Sequence, residues 1–321
     1  MPKKILITGG AGFIGSHLAE NLLEKGEEVF VIDDLSTGSL ANISHLQKNK
    51  KFHFIQGSVL DKKKIEKLIQ KVNQVYHLAA AVGVKTIMEK PLESFLNNIK
   101  GAENIFEAAA KQEVPVLFTS TSEIYGKNEK IPFKEDSDRT YGSAHNIRWG
   151  YGLSKSADEF LALAYFREKK LPVIIVRLFN IIGPRQSGSY GMVVPRFVKQ
   201  ALAEKPITIY GDGYQTRCFA DVRDATSAFI KLMNNPDALG QILNLGSDRK
   251  ITIKELAQKV KNLTGSKSKI TFIPYNKVYG PGFEDMIRRQ PDISKIKKLI
   301  GYQPKITLEE SLKEIIDFHA K

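Results

Sequence analysis

The sequence predicts a doubly wound α/β fold, a parallel sheet of about seven strands covered by helices on both faces, and three observations carry that expectation. Short apolar runs recur between Ile5 and Leu245, most of them separated by longer stretches of helical periodicity, and the first run ends in a glycine-rich turn. The runs are apolar throughout rather than alternating with polar residues. That is the pattern of strands buried on both faces, as in a parallel sheet.

Taken in order, Ile5-Leu6-Ile7 predicts the first strand and Ile14 to Lys25 the helix that follows it. Val29 to Ile32 and Phe52 to Ile55 give two more strands, and Lys62 to Lys71 reads as a helix. Val75 to Leu78 and Val116 to Phe118 bracket a long helix from Leu92 to Lys111. Ser154 to Arg167 is helical, Val173 to Val176 is a strand, and Ile242 to Leu245 returns to the sheet as its last member. After Asn180, residues such as Pro184, Gly188, Pro195, Pro206, Gly211 and Gly213 break the chain into shorter elements. The expected division is a sheet domain over 1–180, to which 217–248 returns, and a smaller lobe made of 181–216 and 249–321.

With 321 residues, 42% hydrophobic and 26% charged, the chain can build a core without covalent staples, and disordered or collagenous readings are excluded. Cys218 is alone, which rules out an internal disulfide and a structural cysteine-based zinc site, and a reducing cytoplasm fits best. His17, His45, His53, His77, His145 and His319 show no metal-ligand spacing, so no metal is expected. The apolar start is broken at Thr8-Gly9-Gly10, too early for a signal peptide, and no run approaches the ~20 apolar residues of a membrane span. A net charge of +13 favours anionic partners. The basic runs, such as Lys62-Lys63-Lys64 and Lys297-Lys298, lack interleaved aromatic residues and read as solvated faces rather than a nucleic-acid surface.

The turn Thr8-Gly9-Gly10-Ala11-Gly12-Phe13-Ile14-Gly15 has glycines at three-residue intervals between strand and helix. Gly9 suits a tight turn, Gly12 a close approach of backbone to a pyrophosphate, and Gly15 close packing of helix on strand. The helix start offers open N–H groups and the positive end of its dipole to the same anion. Asp33 ends the second strand near the ~20-residue spacing expected of a ribose-binding carboxylate. Such a carboxylate accepts from both ribose hydroxyls and repels a 2'-phosphate, which selects NAD over NADP. Tyr151 and Lys155 stand four apart on a helical segment and therefore share a face. An ammonium beside a phenol favours the phenolate, making Tyr151 a general base for a hydroxyl.

On these motifs the sequence resembles the extended short-chain dehydrogenase/reductases of the nucleotide-sugar epimerase, dehydratase and decarboxylase family. Further matches are Asp33 to Gly38, His77-Leu78-Ala79-Ala80, Asn98 to Gly101, Ser120 to Gly126, Arg177 to Asn180, Gly183-Pro184-Arg185, Tyr210 to Gly213 and Gln215-Thr216-Arg217. The resemblance implies an NAD site lined by Gly9, Gly12, Phe13, Ile14, Gly15, Asp33, Ser36, Val59, Leu78, Ala79, Ala80, Asn98 and Lys155. It implies that Asn180, Arg185, Tyr210, Arg217 and Arg289 hold a UDP-sugar, and that Tyr151 removes the C4 hydroxyl proton to give a 4-keto sugar, with Thr121 or Ser122 hydrogen-bonding the same oxygen. It also implies a homodimer through Leu92 to Lys111 and the Tyr151 helix, with Phe95, Phe106, Phe160 and Leu163 as candidate contacts.

The fate of the 4-keto sugar separates the family's members. Thr121-Ser122-Glu123 resembles the UDP-glucuronate decarboxylases, as do Arg148-Trp149 and the segment Ile287 to Asp292. Simple 4-epimerases usually place a small or neutral residue at the Glu123 position, and 4,6-dehydratases an acid at the Ser122 position. Gly83 to Lys90 resembles instead a bacterial subgroup that processes UDP-N-acetylglucosamine toward nine-carbon sugars. Decarboxylase, 4-epimerase and dehydratase or C5-acting readings therefore stay open, decarboxylase leading. Outside catalysis, a dinucleotide sensor or RNA binder is disfavoured by the intact Tyr151, Lys155 and arginines.

Overall fold

The structure is a computed structural model that describes residues 1–188, 192–280 and 284–320, with the backbone but not the side chains of 84–86. In chain order it begins β1 (Lys4–Thr8), α1 (Phe13–Glu24), β2 (Glu28–Asp33), β3 (Phe52–Gln56), α2 (Lys62–Ile69), β4 (Gln74–His77), α3 (Val84–Glu89), α4 (Pro91–Lys111), β5 (Val116–Thr121), α5 (Gly150–Lys169) and β6 (Val173–Leu178). A last strand, Ile242–Leu245, completes a seven-stranded sheet. Its order is Ile242–Leu245, β6, β5, β4, β1, β2, β3, with every pair parallel. The Rossmann-type α/β architecture read from the sequence is thus the observed one.

Alternation along the strands builds the two covering layers. In β1, Ile5 and Ile7 join Leu18, Leu22, Val29 and Val31 in one apolar cluster. Leu6 points the other way, into a cluster with Ile32, Ile65, Val75, Phe106 and Phe118. Phe106 is fully buried there, so it is unavailable as the subunit contact expected of it. The chain runs outward from β1 through β2 and β3, then returns to β4 on the other side of β1 and runs outward again. A crevice opens at the carboxyl ends of strands where such a reversal occurs.

Helix α5 starts at Gly150, earlier than periodicity alone places it, because Gly150 and Gly152 weaken the helical signal of its first turn. Tyr151 and Lys155 consequently lie on one continuous helix. The shorter elements have their own core, where Ile182, Phe197, Val198, Ile207, Leu256, Val260 and Leu312 meet. Among the described residues, two small sheets stand there besides the short pairing of Ile181–Ile182 with Ala220–Asp221. Ile207–Tyr210 pairs with Ile270–Ile273, and Thr216–Cys218 lies between Lys250–Thr252 and Arg288–Arg289. The register of the second sets Arg289 directly beside Arg217. Among the described residues, no helix is long and apolar enough to cross a membrane.

Candidate active site

A cavity of about 510 Å³ runs along the carboxyl ends of the sheet strands and under the shorter elements. Of the residues expected at a site, Asn98 and Lys155 stand outside its lining, and all the others line it.

Its first end is made by the glycine turn. Gly9 has φ +71°, and a Cβ there would lie 2.8 Å from the Ala79 nitrogen; a Cβ on Gly15 would lie 2.4 Å from the Gly9 carbonyl oxygen. The backbone of Ala79 is pinned there by a 3.2 Å hydrogen bond donated by its N–H to Thr8 Oγ1. Gly12 is the N-cap of α1 and brings no side chain to cap it, so the first N–H groups of the helix face the cavity uncapped. Asp33 is buried, and its two oxygens accept from the Ala11 N–H at 2.9 Å and the Leu35 N–H at 2.8 Å. Burial raises its pKa while those two donors lower it. Each oxygen keeps a lone pair for a ligand hydroxyl. A close-approach cradle, an open helix start and an anchored carboxylate together fit a dinucleotide with an unsubstituted ribose.

Asn98 stands behind this wall. Its Oδ1 accepts from the Ala81 N–H at 2.8 Å and its Nδ2 donates to Ser154 Oγ at 3.2 Å, so it braces the lining rather than forming it. Arg185, expected on the substrate, lines the cavity and is tied to α1, donating to Ser16 Oγ at 3.2 Å and Glu20 Oε1 at 2.7 Å. His77 is buried and neutral, its pKa lowered by burial to about 3, and it shares a 2.7 Å hydrogen bond with Thr8 Oγ1. It is a structural histidine.

Tyr151 lies midway and hydrogen-bonds Thr121. Thr121 Oγ1 also accepts from the Glu123 N–H at 3.2 Å, capping the turn that follows β5. Burial and the charges of Glu123 and Asp158 hold the phenol well above its ordinary pKa, against the hydrogen bond from Thr121 and the charge of Arg148. The expected activation by Lys155 is not the arrangement observed. The Lys155 ammonium sits 3.9 Å above the Phe118 ring and 3.6 Å from Asp158 Oδ2, turned away from the cavity.

The far end is a cluster of guanidinium groups. Arg148, buried to 1% exposure, grips Glu123 at 2.5 and 3.1 Å. Arg289 lies 3.7 Å from Glu123 Oε1 and donates to Ser122 Oγ at 3.4 Å. Arg217 pairs with Asp285 at 2.9 Å, and Arg196 lies 3.6 Å over the Tyr210 ring with Nε and Nη1 buried and without a hydrogen-bond partner among the described residues. Asn180 borders the group, anchored by its Nδ2 to the Cys218 carbonyl at 3.0 Å. Four guanidinium groups against the carboxylates of Glu123 and Asp285 leave a positive surplus, the right field for an anionic ligand. Arg148 holds the Glu123 carboxyl below its usual pKa despite burial. Arg289, lowered by burial and by Arg217 to about 10, remains charged at neutral pH. Arg196 and Asp285 were missed from the sequence. Neither sits in a motif, and spacing carries no sign that they converge. The stretch Gly83 to Lys90 falls partly outside the described residues, since the side chains of 84–86 are not described.

Comparison with known proteins agrees with this geometry. The family model for GDP-mannose 4,6 dehydratase matches residues 6–315. A UDP-N-acetyl-alpha-D-glucosaminuronate decarboxylase of Bacillus cytotoxicus is 45% identical, covering 99% of this chain and 98% of that protein. UDP-glucuronic acid decarboxylase 1 of Danio rerio is 36% identical over 99% of this chain and 73% of its own length. Among solved structures, the UDP-glucuronic acid 4-epimerase of Bacillus cereus with UDP-glucuronic acid and NAD superposes with a TM-score of 0.89, at 31% identity and 98% coverage of both chains. The UDP-glucose 4-epimerase of Thermotoga maritima with UDP-glucose gives 0.89 at 30% identity, covering 99% of this chain and 98% of that one. A likeness that runs from the first strand into the last helix settles the family: the chain belongs to the GDP-mannose 4,6 dehydratase family of extended short-chain dehydrogenase/reductase enzymes.

Proposed function

We propose that the protein is an NAD-dependent decarboxylase of a UDP-hexuronate, either UDP-glucuronate or its 2-acetamido counterpart. The observation that carries this reading is Arg289 standing beside Glu123 and Ser122 at the Tyr151 end of the guanidinium cluster. A sugar carboxylate needs a cation next to the reacting carbon. With Arg148 already engaged by Glu123, Arg289 is the cation open to it. The lobe made of 181–216 and 249–321 is taken as the substrate lobe, with Arg217 and Arg196 on the diphosphate.

NAD, when bound along the glycine turn and Asp33, supplies the hydride acceptor for C4. Tyr151 acts as the phenolate, which requires a positive charge brought beside it to offset its raised pKa, and takes the proton of the C4 hydroxyl, while Thr121 and Ser122 are placed to hydrogen-bond that oxygen. Once C4 is a ketone, a carboxylate at C6 belongs to a β-keto acid. The C5–C6 bond then breaks as CO2 leaves, its electron pair forms a C4–C5 double bond while the ketone's π pair moves onto the C4 oxygen, and the enolate so formed takes up a proton at C5. Arg289 orients the carboxylate, and the charge of Glu123 beside it disfavours the anion relative to neutral CO2.

A homodimer belongs to the same proposal. Its support is the apolar surface on α4 and α5, where Leu92, Leu96, Leu153 and Phe160 are exposed, Phe160 to 69%.

The test is to incubate the protein with NAD and, separately, UDP-glucuronate, its 2-acetamido counterpart and UDP-glucose, following each by proton NMR and CO2 release. Loss of C6 from a uronate with no change in UDP-glucose is expected. Inversion at C4 with C6 retained would establish the second reading, a uronate 4-epimerase, which the Bacillus cereus neighbour favours.

A further inference from the structure

Lys155 and Asp158 form a buried pair that the chemistry above does not use. The two side chains are 3% and 1% exposed, with Nζ 3.6 Å from Oδ2. Among the described residues, Asp158 Oδ1 and Oδ2 are buried without a hydrogen-bond partner, so the ammonium is what compensates its charge. On the other side the ammonium lies 3.9 Å over the Phe118 ring, a second favourable contact for a cation. His77 stacks on the same ring at 5.8 Å and is neutral, so it adds no competing cation. Glu159, the next carboxylate on α5, is held by Arg177 at 2.9 and 2.8 Å and by Arg139, and is committed elsewhere. Among the described residues, the cation paired with Asp158 is therefore the lysine of the Tyr-Lys pair. If Nζ swings to the cavity wall, an uncompensated carboxylate remains in the core, an arrangement that proteins strongly disfavour.

We propose that Asp158 is a positioning residue that competes with the dinucleotide for Lys155, giving the ammonium one station against Asp158 and Phe118 and a second in the cleft. The inference rests on the dinucleotide reading of the cleft and goes beyond it, because it assigns the placement of Lys155 to a specific carboxylate. Binding of the dinucleotide then works against the Asp158 attraction, and its apparent affinity is reduced by the fraction of molecules with the lysine parked. The raised pKa of Asp158, caused first by burial, agrees with a carboxylate that accepts a proton when its lysine leaves.

The experiment is a double-mutant cycle read by calorimetric titration of NAD into the full-length protein, with thermal unfolding as the folding control. Asp158→Asn keeps the shape and removes the charge, and it is expected to bind NAD about 5- to 20-fold more tightly than wild type, within the range typical of coupled sites. In a Lys155→Met background the same change is expected to alter affinity less than about 2-fold, because the competitor for Asp158 is gone. A purely structural role for Asp158 would move both backgrounds alike. Asp158→Leu, which replaces the charge with an apolar side chain, is expected to repeat the gain if Asp158→Asn folds poorly. Unchanged or weaker NAD binding in the folded charge-removed variants overturns the inference alone. Absence of NAD binding by the wild-type protein overturns the cofactor reading and the inference with it.

Discussion

At the cofactor end of the cleft, the glycine turn, the start of α1 and Asp33 are neighbours in one strand–helix–strand unit, and most of what a ligand meets is backbone. At the arginine end, Arg148 comes from the turn before α5, Arg196 from the helix Val193–Leu202, and Arg217 and Arg289 from two strands brought into register far apart in sequence. The first end is shaped by what is missing, a Cβ at each of three glycines. The second is shaped by charge held at a distance, each guanidinium fixed by a carboxylate or an aromatic ring. On the proposed function, a nucleotide shared by many enzymes would be met by rigid backbone, whereas the part of the substrate that distinguishes one enzyme from another would be met by side chains that can be exchanged one at a time.

Tyr151 lies between the two ends, and its substitution is the most severe way to break the proposed chemistry while leaving both ends standing. Tyr151→Phe should lower turnover by about 10³-fold, within the range of a lost general base, while NAD and UDP-uronate still bind in calorimetric titration. Near-normal turnover would show that another group takes the C4 proton.

The same contrast explains what was legible in the sequence. Continuous apolar runs and the glycine turn are local signals, so the sheet strands and the turn after the first of them could be read directly. Phe106 was misplaced because an aromatic residue on a long helix looks alike whether it faces a partner or its own core; here it packs on Phe118. Arg185 follows a family motif, but its left-handed backbone, φ +69°, turns the guanidinium onto α1. Arg196 and Asp285 join the site through tertiary placement alone. Lys155 stands four residues from Tyr151 on α5, and its placement against Asp158 was invisible because the burial of a carboxylate is a tertiary property that spacing does not encode.

Next in size is a change confined to the arginine end. Arg289→Met keeps much of the bulk and removes the charge, so kcat/KM for the UDP-uronate should fall about 30- to 100-fold, as for loss of a charge-assisted contact. NAD affinity should stay within about 2-fold. A parallel loss of NAD binding would mean that the two ends are mechanically coupled. The converse change, Asp33→Asn, retains one acceptor and loses the negative charge. NAD binding should weaken about 10-fold and the preference over NADP should narrow, the value of one charged hydrogen bond. An unchanged ratio of the two dissociation constants would place the ribose reading on a different residue.

The smallest effect concerns Cys218, which probes how tightly the arginine end is held. It sits in the middle strand of the three-stranded sheet that carries Arg217 and Arg289, with no exposed surface, and burial pushes its thiol up to about 12. At pH 8 about one molecule in 10⁴ would carry the reactive thiolate, and even that one is covered. A thiol reagent should therefore label the unfolded protein within minutes and the native protein over hours. Because the sulfur is reached when the strands Lys250–Thr252 or Arg288–Arg289 part from it, native labelling measures local opening of this sheet. A UDP-sugar that bridges Arg217 and Arg289 binds the closed sheet alone, and it should slow labelling by a factor that rises with its concentration. Labelling that is fast and indifferent to UDP-sugar would show that the arginine pair is not what the nucleotide holds, and the substrate end would have to be rebuilt around Arg196 and Arg148.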